Sequence, residues 1–280
     1  MEKVFCAAAV VLIAATIVPP GGTHFRTLAS PPNALPLQSL GRSHISLVAD
    51  LVWVRAIGVA TNLKTPVDGR SLVLWCGLVA DLDPKFIYPY LFGGLLGPVE
   101  TEAGPHNVAE ASALLRRGME NIPTDHRLSL YLAFNQLQID HDVRGAAETL
   151  QRGALIPGAP IMMGQLATRL LAQSDDFEAA DALVQQLEAS SNDPEVKAML
   201  GQRAQEIERD RRAARLDQAV SAFRARHGTL PQSLAQLVAE GFVTELPVDP
   251  VSGEDFILEP DGRVRAPSGD RLEAHFQGKH

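Results

Sequence analysis

The sequence predicts an all-α chain, an α-solenoid of stacked helical hairpins with a small α+β segment near its C-terminal end. Three observations carry that expectation. Ala111, Ala146 and Ala180 stand 35 and 34 residues apart, in the phrases NVAEASALLRRGMENIP (107–123), DVRGAAETLQRGALIP (142–157) and DFEAADALVQQLEASSNDP (176–194). Each phrase opens on a capping side chain four residues before its alanine, namely Asn107, Asp142 and Asp176. Each sets an aliphatic residue four positions after it, and the first two add Gly118 and Gly153 before closing on Pro123 and Pro157. A period near 34 residues belongs to stacked helix pairs, because one pair alone cannot bury its apolar face.

The alanines have a physical role. Where two helices cross most closely there is room for a methyl group, and a larger side chain forces the axes apart. The capping residues satisfy amides in the first turn of each second helix, and the prolines end one unit and start the next.

Composition bounds the answer. The 280 residues are 46% hydrophobic, enough for a sizeable core in one or two domains and too apolar for a disordered chain. A formal net charge of −8 excludes nucleic acid as the main partner, since phosphate binding needs a basic footprint. Cys6 and Cys76 are the two cysteines, and Cys6 sits inside an apolar run, so neither a disulfide nor a cysteine metal motif is expected.

Along the chain, Met1–Lys3 precedes VFCAAAVVLIAATIV (4–18), fifteen uncharged residues stopped by Pro19-Pro20-Gly21-Gly22. Residues 1–20 read as a signal peptide or membrane anchor, which places the rest across the membrane. Residues 21–41 form a proline-rich linker, and 42–226 the helical repeat domain. In the helix 44–63, Leu47, Leu51, Val54 and Gly58 form one apolar stripe broadened by Val48, Trp53 and Ile57, so the helix is apolar over most of its circumference and expected to be well buried, with Asp50 and Arg55 the only charges. The next helix spans 71–83, capped by Asp68 or Ser71. Residues 84–97 are apolar and interrupted by Pro89, Gly93 and Gly94, and 99–106 form a loop. The expected hairpins pair 84–97 with 107–120, 126–139 with 142–155, and 160–173 with 176–190.

A long helix then runs from Pro194 to Arg226 with Val196, Leu200, Ile207, Leu216, Val220 and Phe223 on its apolar face. Its ERDRRAAR stretch (208–215) reads as a solvated face with interleaved charges. Residues 227–267 depart from the repeat pattern. They predict a short helix over 232–240, then strands at 256–258 and 263–265 joined by Pro260-Asp261-Gly262. Residues 268–280 read as a disordered tail.

The period and the A-x3-L-x2-G-x4-P phrase resemble tetratricopeptide repeats over roughly 84–194, which implies a right-handed solenoid that binds proteins or peptides. Gly228, Leu230, Pro231, Leu234, Leu237, Gly241, Leu246, Pro247, Asp249 and Pro250 are similar to the region after the long helix of type II secretion pseudopilins. The prepilin cleavage signature of that family is absent. Together the two resemblances imply a repeat protein of the bacterial cell envelope on its periplasmic side, attached to the inner membrane through residues 1–20. An accessory role in a secretion or pilus-like apparatus is the alternative.

No residue pattern points to catalysis. Walker, nucleophile-elbow, dinucleotide and H-E-x-x-H motifs are missing. Asp140-His141-Asp142 and Asp125-His126 read as solvated turns, and Asp249, Glu254, Asp255 and Asp261 lack calcium-loop spacing, so no metal, cofactor or enzymatic activity is expected. A ligand face is expected on the first helices of the hairpins: Tyr131, Asn135 and Gln138, then Met162, Gln165 and Arg169. Tyr and Arg are favoured anchor residues, and amides can grip a peptide backbone.

Overall fold

A computed structural model describes residue 31 and residues 45–61 and 63–272. The expected export segment and, apart from residue 31, the linker lie outside the described residues, as does 273–280. The chain is mostly helical, with ten helices among the described residues and adjacent helices packed on one another, and it forms two compact units divided between Asp142 and Val143.

The first unit contains α1 (Ile45–Ala60), α2 (Pro66–Leu82), α3 (Ile87–Leu96), the strands β1 (Val99–Thr101) and β2 (Gly104–His106), α4 (Val108–Asn121) and α5 (His126–Gln138). Helix α2 starts earlier than expected. Thr65 caps it in a reciprocal box with Asp68, and Pro66 fills the first position, where a missing N–H has no cost. Ser71 is buried rather than capping. Helix α3 runs unbroken because Pro89 lies in its first turn. Its glycine pair lets neighbours come close: a Cβ on Gly93 would lie 2.5 Å from Leu114 Cδ2, and one on Gly94 would lie 2.3 Å from Leu115 Cγ.

Helix α1 is buried on one side only among the described residues, not over most of its circumference as expected. Val48, Ala49, Val52 and Ala56 pack in the core beside Leu72 and Val79 of α2, while Leu47 and Val54 face outward. These small and branched side chains allow closer helix contact than the leucine stripe would. Arg55 goes inward with them, only 2% exposed, its guanidinium 5.7 Å from the Trp75 ring centre. Burial pulls its pKa below the usual arginine value. The expected loop 99–106 is an antiparallel hairpin, closed around Gly104 at φ +107°.

The second unit contains α6 (Val143–Ala154), α7 (Ile161–Gln173), α8 (Phe177–Ser190), the 34-residue α9 (Pro194–His227), α10 (Leu234–Ala239), β3 (Ile257–Leu258) and β4 (Val264–Arg265). The pairs α3/α4 and α7/α8 pack as expected. The expected hairpin of 126–139 with 142–155 straddles the division between the units, and inside the second unit α6 packs on α7 instead. Ala111, Ala146 and Ala180 are each fully buried, as the period demands. Two contacts tie α9 to the helix pair before it. The Gln165 amide reaches Met199 Sδ, and Arg211 Nη2 donates to the Phe177 carbonyl at 3.2 Å, each pair 34 residues apart.

The caps divide. Asp176 accepts from Ala179 N at 3.2 Å and caps α8. Asn107 holds the N-cap position of α4 but its side chain does not cap: it sits in the left-handed region at φ 64°, and its amide instead donates to Pro66 O at 2.7 Å. Asp142 directly precedes α6 and stands exposed in the turn with Asp140 and His141.

The C-terminal segment closes over the end of α9. Leu237, Phe256, Val264 and Ala266 pack on Ala213, Leu216, Val220 and Phe223. Carboxylates at this contact hold the chain by its backbone. Asp210 accepts from Leu272 N at 2.7 Å, Asp217 from Val264 N at 2.8 Å, and Asp249 from Ser268 N at 3.0 Å. Residues 268–272 thus depart from the expected disordered tail, because Asp249 and Asp210 satisfy amides at its two ends. For the same reason Arg209 and Asp210, read as solvated, are almost fully buried.

Candidate functional site

The structure sorts the six expected ligand residues into two triplets, one in each unit. On α5, Tyr131 is half-buried against the core edge and Gln138 is half-buried. Asn135 is fully buried, its Nδ2 donating to Gly94 O at 2.9 Å. That carbonyl needs a side-chain donor, because the residue four positions later is Pro98, which has no N–H to give. Asn135 therefore satisfies the end of α3 and is withdrawn from any ligand.

Phe134 takes its place on the outward face, 48% exposed. With Arg127, Tyr131 and Gln138 it keeps helical spacing of four, three and four residues. Helical phase alone puts Tyr131 and Gln138 on one face, but it sets the polar Asn135 outside and the aromatic Phe134 inside, the reverse of what the structure shows.

The N-terminal end of this face is charged and rigid. Asp125 caps α5 through Arg127 N at 3.0 Å, and its carboxylate takes the Arg127 guanidinium at 2.9 Å and 2.6 Å. The Arg127 side chain holds the Asp125 carboxyl below the usual carboxylate range against the opposing effect of burial. The same pair raises Arg127, with Tyr88 contributing. Tyr88 is exposed and lies 6.1 Å, ring centre to ring centre, from Phe86.

In the second unit Met162 is 71% exposed at the start of α7. Gln165 is engaged with Met199, and Arg169 is half-buried with no hydrogen-bond partner for its Nε. Two clefts flank α9. One of about 480 Å³ is lined by Glu178, Asp181, Gln185 and Arg211. The other, of about 570 Å³, is lined by Glu208, Arg212 and residues 243–248. The exposed Arg215 borders both. Among the described residues no three histidine, cysteine or acidic side chains are placed to hold a metal ion. Cys76 is buried, and burial pushes its thiol up to about 12, so it stays protonated at neutral pH.

No protein-family model matches this chain, nor does any curated protein or solved structure.

Proposed function

We propose that this protein is a non-enzymatic scaffold of the bacterial envelope that binds a protein or peptide through a right-handed, tetratricopeptide-like array of helices. In this reading residues 1–20 attach it to the inner membrane and the helical units lie on the periplasmic side. The observation that carries the binding role is the outward face of α5, where Phe134 stands exposed between Tyr131 and Gln138 and beside a fixed Arg127. An aromatic side chain held in water on a rigid helix costs hydration free energy that a partner would recover.

The test is photo-crosslinking in cells from position 134, with the exposed Glu110 and Glu120 as controls. A partner captured from 134 and not from the other two supports the reading. Equal capture from all three, or from none, sinks it.

A second reading has its own support. The 34-residue α9 followed by α10 and the β3–β4 hairpin folded onto its end is the arrangement expected of the pseudopilin resemblance. It favours an accessory role in a secretion or pilus-like apparatus. Substitution of exposed residues of that segment, such as Val251 or Ile257, should then abolish capture of apparatus components while leaving crosslinks from position 134 intact.

A further inference from the structure

Helix α1 is apolar almost all round, yet among the described residues only one side of it is covered. Of its two charges, Arg55 is turned into the core, leaving an outward stripe of Leu47, Leu51, Val54 and Ile57. Val54 is 56% exposed, and the remaining charge, the exposed Asp50, stands within the stripe one turn from Leu47 and from Val54, where a helix lying at headgroup level leaves its carboxylate in water. Beside Ile57 stands Trp53, half-buried, its ring 5.5 Å from Phe86 and 5.2 Å from Phe92, and Phe86 leads on to the exposed Tyr88. The result is a mainly apolar face carrying one carboxylate, with a tryptophan and a tyrosine on its flank.

We propose that this face lies on the surface of a lipid bilayer. The inference rests on the reading that residues 1–20 attach the chain to a membrane. Residues 19–44 join the uncharged run to α1, a span that reaches at most about 90 Å when fully extended. Such a tether holds α1 near the surface at an effective concentration on the order of millimolar, so modest affinity suffices. Tryptophan and tyrosine favour the headgroup level, where the ring is partly apolar and its N–H or O–H is wet.

The helix lies on the bilayer rather than across it. Its 16 residues span about 24 Å, less than a hydrocarbon core of about 30 Å, and no described helix is long and apolar enough to cross. In-plane seating of an apolar stripe is the geometry of interfacial helices. Docking would set the orientation of the first unit at the membrane and so decide which of its faces a partner can reach.

The two tryptophans provide the test, because Trp75 is fully buried and Trp53 is not. The full chain is reconstituted into phosphatidylcholine–phosphatidylglycerol vesicles, plain or with brominated acyl chains, and flotation and tryptophan emission are measured together. Expected is a quenched component that disappears in W53F. The double variant V54E/I57E, folded by circular dichroism, should float as before but lose the quenching. A chain that floats with the vesicles while bromine leaves its emission unchanged overturns the docking and spares the attachment. A chain that does not float at all overturns both.

Discussion

The sharpest prediction concerns Asn135, which has one structural use and no exposed atom to offer a ligand. In Asn135→Ala the Gly94 carbonyl loses the amide that reaches it across 41 residues of sequence at 2.9 Å. Losing a neutral hydrogen bond costs about 0.5–1.5 kcal/mol, and leaving a buried acceptor unsatisfied raises that to about 1–3 kcal/mol. The space vacated by the amide adds to the loss, while removal of the buried Oδ1, which has no hydrogen-bond partner among the described residues, offsets part of it. A total of about 1–3 kcal/mol is therefore expected, with an m-value close to wild type, because the same surface is exposed on unfolding. Urea denaturation followed by circular dichroism measures it, and with m of about 1–3 kcal/mol per molar the midpoint should fall by roughly 1 M. Phe134→Ala, one position away and half exposed, should move the midpoint little and abolish crosslinking or pull-down of the partner. The reasoning fails if Asn135→Ala is as stable as wild type, or if Asn135→Ala loses the partner at full stability.

Three further outcomes follow from the packing. Gly94→Ala places a methyl 2.3 Å from Leu115 Cγ, and should cost about 1–3 kcal/mol as α3 and α4 separate, read as a lowered thermal midpoint. Arg211→Met removes the bonds to Asp181, Glu208 and the Phe177 carbonyl, and should speed amide exchange in α8 while leaving the first unit's exchange unchanged. Asp249 is opposed by burial but held below the usual carboxylate range by hydrogen bonds from Ser268, Val251 and Ser252. Its stabilisation is therefore complete above about pH 4 and is lost as pH falls below that value toward the depressed folded pKa. Asp249→Asn should flatten that acid limb in a pH series of denaturation midpoints.

Much of the helical layout was legible because it rests on local rules. The alanines at 111, 146 and 180 are all buried, and the spans 126–139 and 160–173 lie within a residue of α5 and α7. Periodicity alone could not decide which side of α1 faces inward. That helix is apolar over most of its circumference, so the choice fell to α2, which accepts small and branched side chains and sets Trp75 against Arg55. Likewise nothing adjacent to Asn107 says that its amide will bridge to Pro66, 41 residues away. The site suffered from the same gap. Tyr131 and Gln138 follow from helical phase, whereas the exchange of Phe134 for Asn135 depends on a carbonyl in another helix that only the fold reveals.

The C-terminal segment raises a problem for any test by truncation. Removing residues 228–280 is the obvious way to ask whether that segment carries a function of its own. Yet Leu237, Phe256, Val264 and Ala266 cover Leu216, Val220 and Phe223, so truncation leaves three large apolar side chains of α9 in water. Burial of each such side chain stabilises by about 1.5–3 kcal/mol. It would also strip Leu272 N from the buried Asp210 and Asp270 O from Arg209 Nη2, leaving an ion pair that was buried only because this arm covered it. A truncated chain should therefore aggregate or lose order in the second half of α9, and loss of a partner would say nothing about recognition. Single substitutions at the exposed rim, Val251→Asp and Ile257→Asp, leave this core intact. If they abolish apparatus binding while thermal midpoints hold within about 1 °C, the segment recognises; if binding survives them, it only caps the helix.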